Sequence, residues 1–462
     1  MTPAVLFAAI IALVLVAFQV GKARSLTVAG GPRGIRTLHS LPGHYGLLTA
    51  MWCAIPSLLV FGIWLAFQDA ILIRMVLVHL PAEVQHLTKA QLGLMINDLR
   101  NLVAGNIAPE SVAVSTRLAA VEYLHLQSIA RLALSALAMV AGIIGLLVVR
   151  ARIRPDLRAR NAFESLIEWV LFGCSGIAVL TTLGIVVSIV FEAVRFFTFV
   201  PLTDFLFGLN WSPQMAIRAD QVGSSGSFGA VPLFTGTLLI SAIAMLVAAP
   251  IGLFSAIFIA EYANRRVRSV VKPLLEVLAG VPTVVYGFFA ALTIGPLLRV
   301  WGEALGFNVS GESALSAGLV MGVMIIPFVS SLADDMITAV PQSLRDGAYA
   351  LGATRSETIK QVVLRAALPG IVGGLLLATS RAIGETMIVV MAAGLASNLT
   401  ANPFEAVTTV TVQIVTLLVG DQEFDSPKTL AAFALGLVLF VVTLVLNVIA
   451  LYVVRKYREQ YE

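Results

Sequence analysis

Two charged residues stand inside an otherwise apolar stretch of the sequence, residues 370–396. Arg381 and Glu385 are four positions apart, so on a continuous α-helix they would share one face. A charge in the hydrocarbon core of a membrane costs at least about 2.5 kcal/mol, so such residues face a cavity, a partner helix or each other. Two interpretations stay open: a self-neutralised pair that orients its helix, or an arginine that binds an anion while the glutamate holds its side chain. A planar guanidinium suits the second, because it donates two parallel hydrogen bonds to an oxyanion.

A polar island, residues 341–370, separates two long apolar stretches. Its first part suits a short helix that ends at Gly352, a residue able to adopt the left-handed conformation. Thr354 and Glu357 then have the spacing of a capping box that starts a second helix. The island is therefore predicted to be a helix–turn–helix elbow that docks a soluble partner. Its predicted exposed side carries Arg345, Asp346, Tyr349, Arg355 and Lys360.

Signatures of catalysis and of metal binding are missing from the sequence. No GxxxxGK[ST] loop, GxSxG or HExxH motif occurs, so any ATP hydrolysis that powers this protein belongs to another chain. Cys53 and Cys174 each lie in an apolar stretch, which argues against a disulfide framework. We expect no cofactor, no bound metal, no catalytic residue and no nucleic-acid partner. The histidines lack the i, i+4 spacing of a helical metal site; they are His39, His44, His79, His86 and His125.

The composition is that of a membrane protein. Of the 462 residues, 58% are hydrophobic and 12% are charged, and the mean hydropathy is +0.94. A soluble domain would carry about twice that share of charge. Runs of about 20 apolar residues predict nine membrane spans. They cover residues 2–20, 45–67, 132–149, 167–193, 233–260, 273–298, 314–332, 370–396 and 429–454.

The distribution of lysine and arginine predicts the orientation of these spans. One alternating set of loops and the tail from Arg455 carry 4, 5, 4, 4 and 3 basic residues, 20 of the chain's 30. Such loops are cytoplasmic, so we expect the N-terminus outside and the C-terminus inside a bacterial cytoplasmic membrane. The elbow then lies on the cytoplasmic side. The basic loops are 21–44, 150–166, 261–272 and 333–369.

The chain is predicted to have two parts, residues 1–160 and 161–462. The boundary falls in a basic linker, where Pro155 makes a continuous helix improbable. In the first part, residues 68–130 are predicted to form a two-helix outer cap whose first helical run is broken at Ala108-Pro109, before Glu110. The apolar residues at helical spacing there are Leu87, Leu92, Met95, Ile96, Leu99 and Val103. Two further outer regions are expected, at 197–232 and 397–428.

Several short motifs stand out in the second part of the chain. They are the elbow residues Asp346, Gly347, Ala348 and Gly352, and the segments Glu261-Tyr262-Ala263, 278–282, 285–288 and 380–387. Together they resemble the phosphate-specific permease subunits of ABC importers, the PstC family, and the elbow residues have the spacing of the EAA loop of such permeases. In this loop aspartate replaces the usual glutamate, and Arg365 stands where proline is expected. The resemblance runs from about Phe191 to the C-terminus.

The resemblance implies an all-α polytopic fold with a six-span, MetI-like permease core. An additional module of about three transmembrane helices, with an outer helical hairpin, precedes this core. It also implies a permease subunit that translocates inorganic phosphate with a second permease subunit, two ATPase subunits and a periplasmic phosphate-binding protein. Arg381 and Glu385 would line the translocation pathway. The ATPase-coupling residues would be Arg345, Asp346, Gly347, Ala348, Tyr349, Gly352, Thr354 and Glu357.

Two alternatives remain. One is a permease for another oxyanion such as sulfate, molybdate or phosphonate, since Arg381 alone does not select among them. The other is a membrane sensor or assembly protein, which would have no ATPase partner. Glu276 and the pair Asp334-Asp335 are predicted to be helix-end charges in the membrane interface, with a gating or docking role as the less favoured interpretation.

Overall fold

The computed structural model describes residues 2–79, 89–108, 112–214, 226–419 and 426–457, and most of them are helical. We number the helices α1 Pro3–Val28, α2 Pro42–His79, α3 Lys89–Ala104, α4 Val114–Arg152, α5 Ala159–Phe196, α6 Leu202–Phe207, α7 Val231–Tyr262, α8 Arg265–Ala279, α9 Thr283–Ala304, α10 Ala314–Thr338, α11 Gln342–Ala350, α12 Arg355–Ile383, α13 Met387–Ala392, α14 Val410–Leu418 and α15 Pro427–Tyr457. Helices α7, α9 and α12 each contain a π-helical segment, at Phe258–Tyr262, Ala290–Ile294 and Thr358–Val363. One two-stranded antiparallel sheet joins β1 Trp211–Ser212 to β2 Ser227–Phe228.

Nine helices in the described ranges are long and apolar enough to cross a membrane. This agrees with the nine spans predicted from hydropathy and confirms the all-α, polytopic fold class. Three of the nine precede residue 159, and six belong to the remainder of the chain. The spanning helices are α1, α2, α4, α5, α7, α9, α10, α12 and α15.

The predicted span 273–298 is wrong at its start. Helix α8 ends at Ala279, and the spanning helix α9 begins only at Thr283. Pro282 explains the break, because it has no N–H to donate and it disfavours the helical conformation of the residue before it. Pro282 itself lies in the extended region and precedes the first turn of α9. Residues 273–279 therefore belong to a separate amphipathic helix.

The chain divides into two compact units, Met1–Leu180 and Thr181–Glu462. In the first unit, α1, α2 and α4 pack together, and the backbones of α2 and α4 approach closely at Gly145. A side chain there would collide with the carbonyl oxygen of Trp52. Helix α4 ends at Arg152 and α5 begins at Ala159, so the predicted break at Pro155 is confirmed.

Residues 68–130 contribute three helical pieces, where two were predicted. The last turns of α2, the whole of α3 and the first turns of α4 share one apolar cluster. The predicted helical pattern is confirmed for α3, whose Met95 and Leu99 are buried. Leu87, Pro109 and Glu110 lie outside the described residues; α3 has already ended at Ala104, before the left-handed Gly105.

In the second unit, α7 and α10 form a close contact along much of their length. A Cβ atom at Gly318 would lie 3.2 Å from the carbonyl oxygen of Ile240, and one at Gly322 would lie 2.9 Å from that of Ala244. Only glycine permits the two backbones to come so near. The prolines inside these helices, Pro250 and Pro327, leave both helices continuous.

Candidate coupling and translocation sites

The elbow between α11 and α12 has the predicted turn and cap. Gly352 has a φ of +85°, the left-handed region that only glycine enters without strain. The Glu357 carboxylate accepts a hydrogen bond from the Thr354 N–H at 2.8 Å, and the Thr354 hydroxyl oxygen accepts from the Glu357 N–H at 3.4 Å. This reciprocal pair is the predicted capping box, and it fixes the direction in which α12 leaves the turn.

Arg345 is buried, and the prediction that it lies on the exposed side of the elbow is wrong. Its side chain is 10% exposed and forms an ion pair with Glu261, with 2.9 Å between Nη2 and Oε1. It also donates to the carbonyl oxygens of Ile337 and Val340, at the end of α10. The guanidinium fits this position because its five donors can satisfy a carboxylate and helix-end carbonyls together. Arg345 thereby joins α11 to the ends of α7 and α10.

Arg355, on the second arm of the elbow, meets the same segment of α7. Its Nη2 donates to the carbonyl oxygen of Glu261, and its guanidinium lies 4.9 Å from the centre of the Tyr262 ring. Both arms of the elbow therefore hold Glu261-Tyr262. In the sequence these two residues belong to a segment that resembles a family motif, and no separate role was predicted for them. A carboxylate and a tyrosine directly after a long apolar span were the signal available.

A cavity of about 620 Å³ lies beside these contacts. Glu261, Arg268, Arg345, Tyr349 and Arg355 are among its lining residues. On the elbow itself Asp346 and Gly347 are exposed, Ala348 is partly buried, and Tyr349 is 41% exposed.

The most exposed apolar side chain of the elbow is one that sequence reasoning missed. Leu351, directly before the left-handed Gly352, is 91% exposed. Its position before a glycine that ends a helix was the only signal in the sequence. An apolar side chain so fully exposed at the tip of a rigid turn is suited to a pocket on a partner.

Helix α8 is attached to α10 by a buried carboxylate. Asp334 is 3% exposed and receives Arg268 at 3.1 Å and Lys272 at 2.8 Å; Lys272 also pairs with Asp335. The hydrogen bond to Asp334 raises the pKa of Lys272 above its ordinary value. Asp334 lies one turn before the end of α10, and its predicted place in the membrane interface stays a prediction.

Arg381 and Glu385 do not share a helix, and the predicted span 370–396 is wrong at this point. Helix α12 ends at Ile383, and Glu385 lies in the break before α13. Its carboxylate accepts from the backbone N–H groups of Met387 and Ile388 at 3.1 and 3.4 Å, which starts the next helix. Hydropathy could not show this break, because the residues on both sides of it are apolar.

The Arg381 guanidinium is exposed and lies 5.5 Å from the centre of the Phe328 ring. Within the described residues it forms no ion pair with an acidic side chain. The ring positions the cation without neutralising it, since a cation–π contact leaves the N–H donors at the edge of the guanidinium available. This arrangement can bind an oxyanion.

Comparisons with known proteins agree with this architecture. Residues 7–181 match a family described as "Phosphate ATP-binding cassette transporter", and residues 248–459 match one described as "Binding-protein-dependent transport system inner membrane component". A probable ABC transporter permease of Bacillus subtilis is 35% identical over 52% of this chain and 74% of its own length. The phosphate transport permease PstC 1 of Mycobacterium tuberculosis is 37% identical, over 50% of this chain and 73% of its own. A probable PstC of Methanocaldococcus jannaschii is 32% identical, over 57% and 87%.

Among solved structures, ABC transporters are similar to part of this chain. A chain of the inward-facing MetNI methionine transporter covers 50% of this chain and 95% of its own length, with 15% identity and a TM-score of 0.36.

The membrane-spanning helices and the family matches define a multi-pass, inner-membrane permease component of a binding-protein-dependent transport system, a transport subunit rather than an enzyme. Components of this class function with an ATPase and a substrate-binding protein. The chain belongs to the PstC family of phosphate transport permeases, as its identity to several members over most of their length shows. The predicted resemblance to the PstC family is confirmed. Neither a permease for another oxyanion nor a membrane sensor or assembly protein is favoured.

Proposed function

We propose that this chain translocates inorganic phosphate across the bacterial cytoplasmic membrane, as the permease subunit of an ATP-driven importer. Family membership supports the transport class. The environment of Arg381 is the observation that supports phosphate as the substrate. Arg381 is a cation with available donors beside a break between two helices, and no acidic side chain among the residues that the structure describes forms an ion pair with it.

The surroundings of Arg381 suit a site that must also release its ligand. The guanidinium supplies two parallel N–H donors, which match two oxygens of a tetrahedral oxyanion. Glu385, four residues on, has its carboxylate engaged by the first N–H groups of α13. The nearby negative charge weakens the hold on a bound anion, while its own hydrogen bonds keep it from pairing with the arginine. Phosphate would thus be bound by few donors and remain able to leave.

The elbow is the proposed contact with an ATPase. Asp346, Gly347, Ala348 and Tyr349 would form the contact surface, joined by the exposed Leu351. Arg345, Gly352, Thr354 and Glu357 would hold the shape of the elbow through the buried ion pair, the left-handed turn and the capping box. A movement of the ATPase would then reach α7 and α10 through Glu261 and the end of α10.

Family membership supports the remainder of the proposed assembly. We propose that a second, related permease subunit completes the pathway, that two ATPase subunits clamp the two elbows, and that a periplasmic phosphate-binding protein docks outside.

The N-terminus would lie outside and the C-terminus inside. We retain residues 1–160 as an N-terminal membrane extension and 161–462 as the permease domain.

Uptake of labelled phosphate by the reconstituted importer tests the proposal. Replacing Arg381 with Gln should abolish uptake, and Arg381→Lys should lower it strongly, because an ammonium keeps the charge and loses the paired donors. Normal membrane abundance and ATPase copurification would establish that these variants assemble. Undiminished phosphate uptake by Arg381→Gln, or wild-type uptake of sulfate, molybdate or phosphonate in preference to phosphate, would contradict it.

A further inference from the structure

The first unit gathers an unusual positive charge at one end. The two segments 21–44 and 150–166 carry nine lysines and arginines against two acidic residues, Asp156 and Glu164. The segments adjoin the end of α1, the start of α2, the end of α4 and the start of α5, so they lie at the same end of the helical bundle. We call this surface the basic end.

The basic end is a folded surface. The Tyr45 hydroxyl donates to the carbonyl oxygen of Leu157 at 2.9 Å, and the His39 N–H donates to that of Pro155 at 3.0 Å. The Arg160 N–H donates to the Ser40 hydroxyl at 3.2 Å. An apolar cluster that includes Tyr45, Val149 and Ile153 lies beneath. An excess of lysine and arginine that only orients membrane spans during insertion would need none of these contacts. Here they fix the positions of the cations relative to one another.

The cations themselves are free to bind. All nine side chains are exposed, and Arg160 is paired with Glu164 at 2.7 Å. In the described part of the chain, none of the other eight forms an ion pair. Eight exposed, unpaired cations on one fixed surface repel each other and therefore favour an anionic ligand.

The position of the arginines identifies the source of the anion. Arg150 lies one helical turn beyond Leu147, and Arg152 one turn beyond Val148, so each pair shares a face of α4. Leu147 and Val148 are 51% and 37% exposed, within a helix apolar enough to cross a membrane. With α4 across a membrane, this spacing would place the arginines next to apolar surface that faces acyl chains, at the depth of the lipid phosphates.

We propose that the basic end binds the headgroups of anionic phospholipids and thereby anchors the N-terminal unit to one face of the membrane. Clusters of several basic residues beside a membrane span have this affinity, which each cation raises by roughly fivefold. The fixed spacing of the arginines would favour a lipid phosphate over a soluble anion, because several headgroups lie together in the plane of the membrane. This inference does not depend on the transported substrate.

Lipid retention by the full chain, purified with its partner subunits, tests the proposal. Phosphatidylglycerol or phosphatidylcholine is added in detergent, and bound lipid is counted by native mass spectrometry. The wild-type protein should retain phosphatidylglycerol in preference to phosphatidylcholine. The triple variant Arg150→Gln/Arg152→Gln/Arg154→Gln should bind it on the order of 100-fold more weakly, and the corresponding triple Arg→Lys variant should retain it.

A matched control removes the same charge elsewhere in the unit. The variant Arg74→Gln/Arg100→Gln/Arg117→Gln should keep the preference, because these residues lie in α2, α3 and α4 beyond the opposite end of the bundle. Equal loss in both triple variants, or no loss in the first, would overturn the proposal. The proposal would also be overturned if millimolar inorganic phosphate displaced the lipid while chloride of equal ionic strength did not. That result would show that the ligand is a soluble anion. Retained lipid selectivity with loss of a copurifying acidic protein would identify a protein interface instead.

Discussion

Arg345 and Glu261 are 84 positions apart in the sequence and form an ion pair that is about nine-tenths buried. The same arginine donates to the last carbonyl groups of α10, so one side chain connects α11 with two membrane-spanning helices. A partner that binds the elbow surface is therefore linked to α7 and α10 through the single side chain of Arg345.

Removing Arg345 should destabilise the protein. The variant Arg345→Met leaves Glu261 buried without a counter-charge and should cost about 3–5 kcal/mol, the usual effect of breaking a buried pair. The double variant Arg345→Met/Glu261→Leu should be more stable than Arg345→Met, since no buried charge remains. Thermal unfolding in detergent measures both, with the exposed Lys360→Gln as control. An unchanged melting temperature for Arg345→Met would show that the pair contributes nothing.

Gly352 should tolerate some side chains and reject others. The variant Gly352→Val forces a β-branched residue into a left-handed turn at a cost of roughly 1–2 kcal/mol. We expect it to insert into the membrane and lose ATPase association. The variant Gly352→Asn should keep most of the ATPase association, because asparagine enters the left-handed conformation more readily than valine. Nothing lies within 4 Å of the added Cβ atom. Gly306→Val is the control, because Gly306 also has a positive φ, +81°, and open space around an added Cβ atom, but it lies outside the elbow, so this variant should keep ATPase association. Equal ATPase recovery with Gly352→Val and wild type would refute the role of the turn.

Leu351 should matter for docking and not for folding. Because it is 91% exposed, Leu351→Ser should leave thermal unfolding unchanged and reduce ATPase binding at least tenfold, a loss of about 1.4 kcal/mol. Leu305, 74% exposed after α9, provides a matched control, and Leu305→Ser should not affect binding. ATPase pull-down titrated with the permease gives the affinities. If both serine variants bind alike, Leu351 is not part of the interface.

Arg381 and Glu385 should respond differently to neutral substitution. Glu385→Gln keeps an oxygen that accepts from the N–H groups of Met387 and Ile388, so the start of α13 should survive. Arg381→Gln removes the cation. We therefore expect the double variant Arg381→Gln/Glu385→Gln to be as inactive in phosphate uptake as Arg381→Gln alone. Recovery of uptake in the double variant would show that the two charges act only by neutralising each other.

Cysteine labelling tests the proposed orientation. Asn106 and Asn161 are both exposed, and the proposed topology places them on opposite sides of the membrane. In a background without Cys53 and Cys174, an impermeant thiol reagent should label Asn106→Cys in intact cells and Asn161→Cys only after lysis. Ala159 is fully buried and would not report. Labelling of Asn161→Cys from outside would reverse the orientation.

The elbow shows which parts of a site a sequence can reveal. Its turn and capping box depend on residues three to six positions apart, and both were predicted correctly. The burial of Arg345 depends on a carboxylate on another helix and on the carbonyl ends of a third, and no local pattern contains that information. The polar composition of the elbow led to the wrong prediction that Arg345 is exposed.

The spans show the same limit. Hydropathy predicted nine spans, and the part of the chain that the structure describes contains nine such helices, because length and apolar character are properties of each segment alone. The break at Glu385 was missed because a carboxylate within an apolar run has the same hydropathy whether it faces a cavity or caps a new helix. The displaced start of α9 was foreseeable, since proline at 282 disfavours a helix through residue 281.

The contact between α7 and α10 restricts how this permease can change shape. With Gly318 and Gly322 against the carbonyl groups of the other helix, a shift of one helix along the other would bring larger side chains into a gap that has no room for them. The two helices are therefore expected to move together as one rigid body. Alternation between outward- and inward-open states would then bend the chain at interruptions outside the two helices, such as Gly280–Pro282, between α7 and α10 in the sequence, and Gly384–Thr386, after α10.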